Sequence, residues 1–461
     1  MVRDGMTKTI FISSFEGLET KNVLRTSIFT TLVGNPDVRV IVFTGSEERA
    51  AYHRREFDHP RIRYEVVGSI SVRGLDRVFS WLKFLLLDTP STRLRRRIAY
   101  ERHGSILRYC GGMLMARLSA RRSIRRIARL LDYALVRDRT YDSYFTKYAP
   151  RLVLLANLFH DDEAHFLRAA RRFRVATVGF INSWDKPTTR CALRLLPERF
   201  VVFNAVVKDE LVVLHDARDE RIFIGGIPQY DSYYRDAVLS RGEFLVRRGI
   251  DPEARLILYA PVVSRLFRSE WPIIDRLDSL ARTGAFGERV VFMVRFHPAD
   301  RVDPRELTKR PGLRYDFPGT RFASGSGRDQ AVEWDWGEDE FRNLSHLLRY
   351  ASLLICYASS ISVDAAICDT PVININYEMR PDAGFRGSPL PFYGMIHYQK
   401  ALAAGGIRLV GSEEELIALA RRYLADPALD REGRRRLARQ QCYFMDGKSG
   451  ERIGNFLLSQ M

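Results

Sequence analysis

The feature that most restricts the fold of this 461-residue sequence is a repeated alternation of short apolar, β-branched runs with segments of helical periodicity. The first series has apolar runs at 8–15, 38–45 and 61–68, and a helical pattern at 20–35. Parallel strands need a crossover connection such as a helix, so this spacing predicts a parallel sheet. The chain leads directly into the run 8–15, which predicts that no signal peptide precedes it.

The alternation resumes later in the chain and then starts a second series. Further strand patterns lie at 150–157, 175–183, 199–204 and 221–228, and then at 255–262, 289–298, 353–359, 371–377 and 407–410. Two αβ series of similar size predict an α/β protein with two Rossmann-like domains. We expect domains at 1–235 and 236–445, and a C-terminal helix at 446–461 that packs back on the first domain.

One segment, 75–137, interrupts the first series with helical, basic sequence. From Arg93 to Arg129 it holds 12 Arg and a single acid, Glu101, and the net charge of the chain is +17. Three interpretations stay open: attachment to an anionic membrane, a solvated basic helical insert, and a nucleic-acid surface. Tyr100 and Tyr109 supply few stacking aromatics, which disfavours nucleic acid, and the aromatic and leucine-rich run 78–88 favours the membrane.

Cysteine usage and hydropathy predict the compartment. Five Cys with no CxxC spacing indicate reduced thiols rather than a disulfide framework. No apolar run approaches the roughly 18 residues that a transmembrane helix needs. These features predict a cytoplasmic protein that associates peripherally with the inner face of the cell membrane.

The second series carries small hydroxyl residues between a strand and a helix, in "CYASSISVDAA". Helix N-termini at the carboxyl ends of parallel strands offer N–H groups to an anion. The predicted donor contacts here are Ser359, Ser360, Ile361 and Ser362 for a pyrophosphate, and Asp364 for ribose hydroxyls. The alternative is an ordinary Ser cap followed by an acid that the helix dipole favours.

Another strand end of the same half, "VRFHP", carries a cation and an imidazole. Arg295 and His297 are two residues apart and share a face of the strand, which Pro298 ends. Such groups suit diphosphate binding and stabilisation of a departing phosphate. The alternative is a capping His and a surface Arg. Together with the serine pair, the motif favours binding of a nucleotide diphosphate.

These motifs resemble the donor-binding domain of GT-B fold glycosyltransferases. The likeness is greatest to bacterial surface-polysaccharide transferases and to the related CDP-glycerol glycerophosphotransferases, through "RFHP" and "SS…DA…P". The segments 182–190, 222–233 and 444–457 are also similar to those families, and only 75–137 has no counterpart. The resemblance implies two Rossmann-like domains facing a cleft, with the nucleotide donor on the second.

A transferase of this kind needs a base that deprotonates the acceptor hydroxyl. The first choice in the first half is Asp185, which follows the strand pattern 175–183; His160 and Asp161 are the other candidates. The alternatives are a turn before a proline for Asp185 and helix capping for the other two. The loop after the first strand supplies the expected acceptor contacts, which are Glu16, Gly17 and Lys21.

Several competing motifs are missing from the sequence. It contains no Asp-x-Asp, no HExxH and no GxGxxG, and "DGKS" at 446–449 lacks the first glycine of a phosphate-binding loop because position 442 is Cys442. We therefore expect neither a metal nor a resident cofactor. Cations of the protein and a helix terminus would then stabilise the leaving group.

The sequence thus predicts an inverting, metal-independent glycosyltransferase of surface-polysaccharide synthesis. Its partners would be a nucleotide-sugar donor, a glycan or lipid-linked glycan acceptor and an anionic membrane surface, but no nucleic acid. The alternative is a polyol-phosphate transferase that uses CDP-glycerol or CDP-ribitol, and a sugar-nucleotide 2-epimerase is less favoured. A non-catalytic nucleic-acid-binding protein would leave the paired strand-end motifs unexplained.

Overall fold

The computed structural model describes residues 7–68, 70, 72–234, 239–262, 270–300, 302–322, 333–380 and 384–461. The chain divides into two compact units. The first unit comprises Met1–Asp231, Phe322–Glu333 and Cys442–Met461, and the second comprises Ser232–Arg321 and Trp334–Gln441.

The first unit is built on a seven-stranded sheet. Its strands are β1 (Lys8–Ser13), β2 (Val38–Thr44), β3 (Ile62–Val66), β4 (Leu152–Leu155), β5 (Ala176–Phe180), β6 (Arg199–Val202) and β7 (Ile222–Ile224). They lie in the order β3-β2-β1-β4-β5-β6-β7, and all neighbours are parallel. The chain leaves β1 in one direction and returns to β4 on its other side. The carboxyl ends of β1 and β4 are therefore the topological switch point, where open α/β sheets bind ligands.

Helices cover this sheet and extend beyond it. They are α1 (Gly17–Glu19), α2 (Ser27–Gly34), α3 (Glu47–Glu56), α4 (Gly74–Leu82), α5 (Pro90–His103), α6 (Ile106–Ser119), α7 (Arg122–Leu135), α8 (Asp142–Tyr148), α9 (Asp161–Arg172), α10 (Lys186–Thr189) and α11 (Ala205–His215). Aromatic residues fill the core beneath α8 and α9: Phe11 on β1 packs edge-on against Phe43 and Phe145, with ring centroids 4.9 and 5.2 Å apart. This core fixes β1 and β4, and with them the loops at the switch point.

The second unit is built on a six-stranded sheet. Its strands are β8 (Arg255–Ala260), β9 (Val290–Arg295), β10 (Arg314–Asp316), β13 (Leu353–Cys356), β14 (Val372–Ile375) and β15 (Arg408–Val410); β11 (Thr320–Phe322) and β12 (Glu333–Asp335) form a separate pair. The order is β10-β9-β8-β13-β14-β15, again with parallel neighbours. The switch point of this sheet lies between β8 and β13.

The helices of the second unit follow its strands in the same alternating way. They are α12 (Arg241–Arg247), α13 (Trp271–Arg282), α14 (Pro304–Thr308), α15 (Glu338–Tyr350), α16 (Ile361–Ile367), α17 (Gly384–Gly387), α18 (Ile396–Ala403), α19 (Glu413–Ala425) and α20 (Arg431–Cys442). Ser412 begins α19 as its N-cap, because its hydroxyl accepts the N–H of Glu415 at 3.2 Å.

The last helix, α21 (Ser449–Ser459), belongs to the first unit and packs against α2. Its glycines allow the close approach: a Cβ on Gly450 would lie 2.9 Å from the backbone nitrogen of Ser27, and one on Gly454 would lie 2.6 Å from Cβ of Thr31. Asp231 caps the start of the helix by accepting the N–H groups of Ser449 and Gly450 at 2.9 and 2.7 Å.

The predicted α/β class with two Rossmann-like sheets is confirmed. The continuous helix expected at 20–35 is wrong. Thr20–Leu24 forms a π-helical turn, and a new helix, α2, begins after Thr26, whose hydroxyl accepts the N–H of Ile28 at 3.3 Å. That hydroxyl competes with continued helical hydrogen bonding, which is the reason for the break.

Four helices, α4 to α7, occupy residues 74–135 between β3 and β4. Within the part of the chain that the structure describes, no helix combines the length and the apolar character required to cross a bilayer.

Candidate active site

Three titratable side chains meet at the switch point of the first sheet. Glu16 and Glu19 follow β1, and His160 follows β4 just before α9. Nε2 of His160 lies 3.4 Å from Oε1 of Glu16, and one ligand atom from each of the three residues lies within 4.8 Å of the others. The fold therefore builds a histidine–carboxylate pair from two loops that are far apart in the sequence.

Glu19 is the buried member of this group, with no solvent-exposed surface. One carboxylate oxygen accepts the N–H of Glu16 at 2.9 Å and also the N–H of Phe15, whereas the other oxygen is buried without a hydrogen-bond partner. Burial, reinforced by the nearby charge of Glu16, raises the pKa of Glu19 to about 7. Glu19 thus holds its proton more readily than an ordinary glutamate near neutral pH.

A buried lysine lies behind this group. Nζ of Lys186, the first residue of α10, donates to Oδ1 of Asn157 at 2.8 Å and to Oδ1 of Asn182 at 2.7 Å. These amides, at the ends of β4 and β5, solvate the ammonium without supplying a negative charge. Burial lowers the pKa of Lys186 to about 8, and the charge of Arg190 acts in the same direction.

His160 is the accessible member, with about a third of its side chain exposed. Partial burial lowers the pKa of His160, although Glu16 opposes this effect. A neutral imidazole beside a carboxylate is a suitable general base, because it can accept a proton at neutral pH.

The spacing of Glu16, Glu19 and His160 is also compatible with ligands of one divalent cation. However, backbone N–H groups already occupy one oxygen of Glu19, and the nearby Lys186 ammonium would repel a cation. An acidic cluster with these internal contacts does not assign a metal site, so metal independence stays a prediction.

Asp185, the first sequence choice for the base, lies at the start of α10 and is half-buried. Its carboxylate accepts the hydroxyls of Ser183 and of Thr189, the latter at 3.2 Å. Two hydroxyls of its own turn thus already engage this carboxylate.

Asp161, the other acidic candidate, does not fit the role of a base. Its carboxylate accepts Nζ of Lys83 at 3.0 Å, a guanidinium nitrogen of Arg194 at 2.8 Å and the hydroxyl of Ser80 at 2.7 Å. Lys83, Ser80 and Arg194 hold the pKa of Asp161 well below its usual range, although burial opposes them. Asp161 instead ties the start of α9 to the helical segment that contains α4.

The three predicted acceptor contacts differ in their exposure. Glu16 is exposed, and its carboxylate reaches His160. Gly17 begins α1 and is buried, and Lys21 lies half-buried in the π-helical turn. Only Glu16 therefore remains a strong candidate for contact with an acceptor.

In the second unit, the serine pair lies where the sequence predicted, between β13 and α16. Ser360 is exposed, and the half-buried Ser359 and Ile361 flank it. Ser362 is fully buried, and its hydroxyl hydrogen-bonds with that of Tyr398 at 3.0 Å. The N–H of Ser362 donates to the carbonyl of Ser359 at 3.2 Å, which closes a turn.

Asp364 does not fit the predicted contact with ribose. Its carboxylate is buried and accepts the hydroxyl of Tyr233 at 2.7 Å. Tyr233 lies in the short helical stretch at the start of the second unit, so Asp364 anchors that stretch.

Arg295 does not fit the predicted diphosphate contact either. It is buried, and its guanidinium donates to the carboxylates of Asp316 and Glu340. Two acids from β10 and α15 thus neutralise the cation. A phosphate would have to displace one of them, at the cost of an unpaired buried carboxylate.

His297 keeps an exposed position at the end of β9. Its Nδ1 accepts the N–H of Ala299 at 3.0 Å, so a neutral ring carries its proton on Nε2. Nε2 can therefore donate to a phosphate oxygen. The ring centroid of Trp334 lies 6.2 Å from that of His297.

Sequence reasoning missed two buried glutamates at the switch points, Glu19 and Glu270. Glu270 precedes α13, and one carboxylate oxygen accepts the hydroxyl of Tyr259 and the N–H of Val262, both at 2.9 Å. Its other oxygen is buried without a partner, and burial raises the pKa of Glu270 to about 8. A glutamate in a polar loop gives no sequence signal for burial, because tertiary packing decides it.

Comparison with solved structures supports a fold of the GT-B type, with two such units in the chain. A UDP-N-acetylglucosamine 2-epimerase from Neisseria meningitidis matches with a TM-score of 0.53 and 12% identity, over 98% of this chain and 100% of that one. A glycosyltransferase from Rickettsia africae matches with a TM-score of 0.50 and 10% identity, over 99% and 100%. The wall teichoic acid polymerase TagF matches with a TM-score of 0.50 and 13% identity, over 98% and 88%.

At these identities, structural similarity shows the fold alone. No curated protein matches the sequence significantly. The family model of the CDP-glycerol:poly(glycerophosphate) glycerophosphotransferases matches residues 200–459, which is more than half of the chain. The protein is therefore a transferase and belongs to the CDP-glycerol:poly(glycerophosphate) glycerophosphotransferase family.

Proposed function

We propose that this protein transfers a polyol phosphate from a CDP-linked donor to a hydroxyl acceptor during synthesis of a cell-surface polymer. The observation that carries the proposal is the family match, which spans the whole second unit. It favours the polyol-phosphate alternative over the glycosyl transfer that the motifs first predicted.

The pair of His160 and Glu16 is the proposed base in the first unit. With Nε2–H directed to the Glu16 carboxylate 3.4 Å away, Nδ1 carries the lone pair that accepts a proton. The lowered pKa keeps the imidazole neutral near pH 7, as a base requires. Glu16 fixes the tautomer and stabilises the imidazolium that forms.

The proposed donor contacts in the second unit are Nε2–H of His297 and the exposed turn at Ser359 and Ser360. They follow β9 and β13, the two strands that flank β8 in the sheet. These neutral donors can hydrogen-bond phosphate oxygens, and His297 can also protonate the leaving phosphate when it is charged. Arg295, Ser362 and Asp364 are left out because neighbouring groups of the protein engage their side chains.

In the proposed reaction, the acceptor oxygen attacks the β-phosphorus of the donor. Its proton passes to His160, the phosphoanhydride bond breaks, and CMP leaves with the bonding electrons. In glycosyl transfer from a nucleotide sugar, the oxygen would attack the anomeric carbon instead, and a nucleoside diphosphate would leave. The released nucleotide therefore distinguishes the two reactions.

The test incubates the full-length protein with CDP-glycerol, CDP-ribitol or a panel of nucleotide sugars, together with a synthetic lipid-linked glycan as acceptor. Chromatography identifies the nucleotide that is released. Acceptor-dependent release of CMP supports the proposal. Release of UDP, GDP or dTDP from a sugar donor would replace it with glycosyl transfer.

Two variants then test the base. We expect His160→Gln to lower kcat by about 10²- to 10⁴-fold, the usual contribution of a general base, while nucleotide affinity is retained. Asp185→Asn is the matched comparison, because Asp185 also follows a strand end of the first sheet. If Asp185→Asn abolishes turnover and His160→Gln does not, the base assignment moves to Asp185.

The acceptor and the cellular location are part of the same proposal. A lipid-linked glycan at the cytoplasmic face of the membrane would suit a protein whose helical segment is rich in arginine. Competition assays with soluble and lipid-linked acceptors test this, and equal turnover of both would contradict it.

A further inference from the structure

The buried ammonium of Lys186 is held by uncharged groups. The residue is 5% exposed, and both hydrogen-bond acceptors of Nζ are amide oxygens, those of Asn157 at 2.8 Å and of Asn182 at 2.7 Å. Burial of a cation is costly unless a carboxylate pairs with it. An apolar side chain would fill this position at a lower cost, which points to a role for the charge itself.

The two asparagines belong to the turns that follow β4 and β5. The carbonyl of Asn157 accepts the N–H of His160 at 3.1 Å, which closes the turn between β4 and α9. Nδ2 of Asn182 donates to the carbonyl of Ala156, one residue before Asn157, at 2.6 Å. Lys186 therefore connects the turn that leads to His160 with the turn after β5 at two points.

The backbone that carries Lys186 is itself anchored. Lys186 begins α10, and its carbonyl accepts the N–H of Arg190 at 3.1 Å. The carbonyl of the next residue, Pro187, accepts Nε2–H of His215 on α11 at 2.8 Å. The ammonium thus has a fixed position, as a group that orients a catalytic side chain requires.

The charge of Lys186 also acts on His160. The charged and titratable groups around its ring come from three segments: Glu16 and Glu19 after β1, Lys83 after α4, and Lys186 and Arg190 on and just after α10. Burial lowers the pKa of His160, Glu16 opposes this effect, and Lys186 is the strongest of the positive charges that add to it. Lys83 is paired with a carboxylate, whereas the acceptors of Lys186 are neutral, so the field of Lys186 is less compensated.

We propose that Lys186 is a positioning residue for the base: its ammonium fixes the turn after β4 that carries His160 and holds the imidazole in the neutral form. Because Lys186 is buried, it acts through Asn157 and through its charge, and not by contact with the acceptor. The inference rests on the proposed function, which assigns His160 as the base.

The first experiment needs neither donor nor acceptor. The full-length protein is isotopically labelled at the Cε1 atoms of its histidines, NMR follows the titration of each ring, and His160→Gln identifies the signal of His160. In Lys186→Met the pKa of His160 should rise, because an unbranched apolar side chain replaces the positive charge. Lys208→Met is the matched control, since Lys208 lies on α11 and pairs with Asp219; it should leave that titration unchanged.

The second experiment measures the kinetics of transfer. Lys186→Met should lower kcat by about 10²-fold and leave KM for the donor unchanged, because a small displacement of a catalytic group has an effect of about this size. The acid limb of the pH profile should also move to higher pH, since the imidazole would keep its proton over a wider range. A loss of stability alone would not move that limb.

Asn182→Ala separates positioning from charge. It removes the contact with the carbonyl of Ala156 but leaves the lysine in place, so it should lower kcat roughly tenfold without raising the pKa of His160. The double variant Lys186→Met/Asn182→Ala should lose no more activity than Lys186→Met, because both residues act through the same turn. Fully additive losses would contradict that shared path.

Thermal unfolding checks that each variant folds. If Lys186→Met does not fold, Lys186→Gln replaces it with the same expectations, because glutamine keeps one donor group for the asparagines. An unchanged titration of His160 in the lysine variant overturns the inference, whatever the activity of that variant. A raised pKa in a protein that transfers no donor group would instead reject the proposed reaction and leave the effect of Lys186 on His160 standing.

Discussion

Charged residues at the strand ends of the two sheets have different surroundings. In the first unit, Glu16, Glu19 and His160 lie near one another, and His160 and Glu16 keep exposed surface. In the second unit, the strand-end cation Arg295 is enclosed by Asp316 and Glu340. The difference teaches that a charged residue at a strand end can meet a ligand only if its side chain keeps exposed surface, as the paired His160 and Glu16 do and the enclosed Arg295 does not.

The first unit alone contains the same contrast between an enclosed cation, Arg194, and an accessible side chain, His160. Arg194 is buried and contacts Asp76, Asp132 and Asp161, all from elements that precede it in the chain. These contacts join α4, α7 and α9 next to His160. This network is structural, although its charge density alone would suggest a reactive site.

The largest expected effect comes from a substitution that breaks this ion-pair network. Arg194→Met leaves three buried or half-buried carboxylates without their shared cation, and we expect it to lower the free energy of unfolding by about 3–5 kcal/mol. Denaturant titration measures the loss. Arg276→Met is the matched control, because Arg276 is half-exposed and pairs with Glu413 at the surface; it should cost at most about 1 kcal/mol. Equal losses would show that Arg194 is not a structural centre.

The second prediction concerns the raised pKa of Glu19 and its effect on the pH dependence of stability. Its pKa in the folded protein, about 7, lies above the ordinary value of 4.5, so the folded state keeps a proton that the unfolded state has lost between these values. Stability should therefore fall as pH rises through this window, by up to about 3 kcal/mol, and flatten above it.

Glu19→Gln tests this directly, because glutamine retains an oxygen that can accept the N–H of Glu16 but cannot ionise. The free energy of unfolding of the variant, relative to the wild type, should rise between pH 5 and pH 8. Glu47→Gln, at an exposed position on α3, provides the control and should give a flat difference. A flat difference for Glu19→Gln as well would contradict the raised pKa.

The third prediction compares Arg295, the last residue of β9, with His297 just after that strand. His297→Gln should weaken nucleotide binding by about 1–3 kcal/mol, the contribution of a hydrogen bond to a charged group, without changing stability. Arg295→Lys should do the reverse, since lysine cannot bridge Asp316 and Glu340 with a planar fork. Calorimetric titration with CDP and thermal unfolding separate the two effects. Weaker CDP binding by Arg295→Lys alone would restore Arg295 as the phosphate ligand.

The smallest expected effect concerns metals. Adding EDTA to the transfer assay should leave the rate unchanged, because hydrogen-bond donors of the protein are expected to stabilise the leaving phosphate. The control is a parallel reaction with excess Mg²⁺ or Mn²⁺. Loss of activity with EDTA and recovery with one cation would show that the reaction needs that cation, with Glu16, Glu19 and His160 as its candidate ligands.

Much of the fold could be predicted from the sequence, because strand and helix patterns depend on residues that are close together in the chain. The runs around β1, β2, β8 and β13 each predicted a buried parallel strand within a few residues of its observed bounds. The break between α1 and α2 was missed, since Thr26 ends one helical stretch and caps the next through its own hydroxyl. Local periodicity does not distinguish that cap from a residue inside a helix.

The sequence predicted the candidate site less completely than the fold. The sequence placed His160, Glu16, His297 and the serine pair at strand ends, and the structure finds them there. It also proposed Arg295, Asp161 and Asp364, whose side chains neighbouring elements engage. No local pattern reveals a counterion such as Asp316, Glu340, Arg194 or a hydroxyl such as that of Tyr233, because most of these partners lie far along the chain.

By itself, the sequence determined that this protein has two parallel αβ sheets, which polar residues follow their strands, and that the segment 75–137 is mostly helical and basic. Tertiary structure alone decided which charged groups are neutralised and which remain available. It also decided that α7 turns Arg125 and Asp132 inwards and Ile127 and Leu130 outwards. The physical reason is that burial and ion pairing depend on contacts between distant segments, whereas strand and helix formation depend mainly on neighbouring residues.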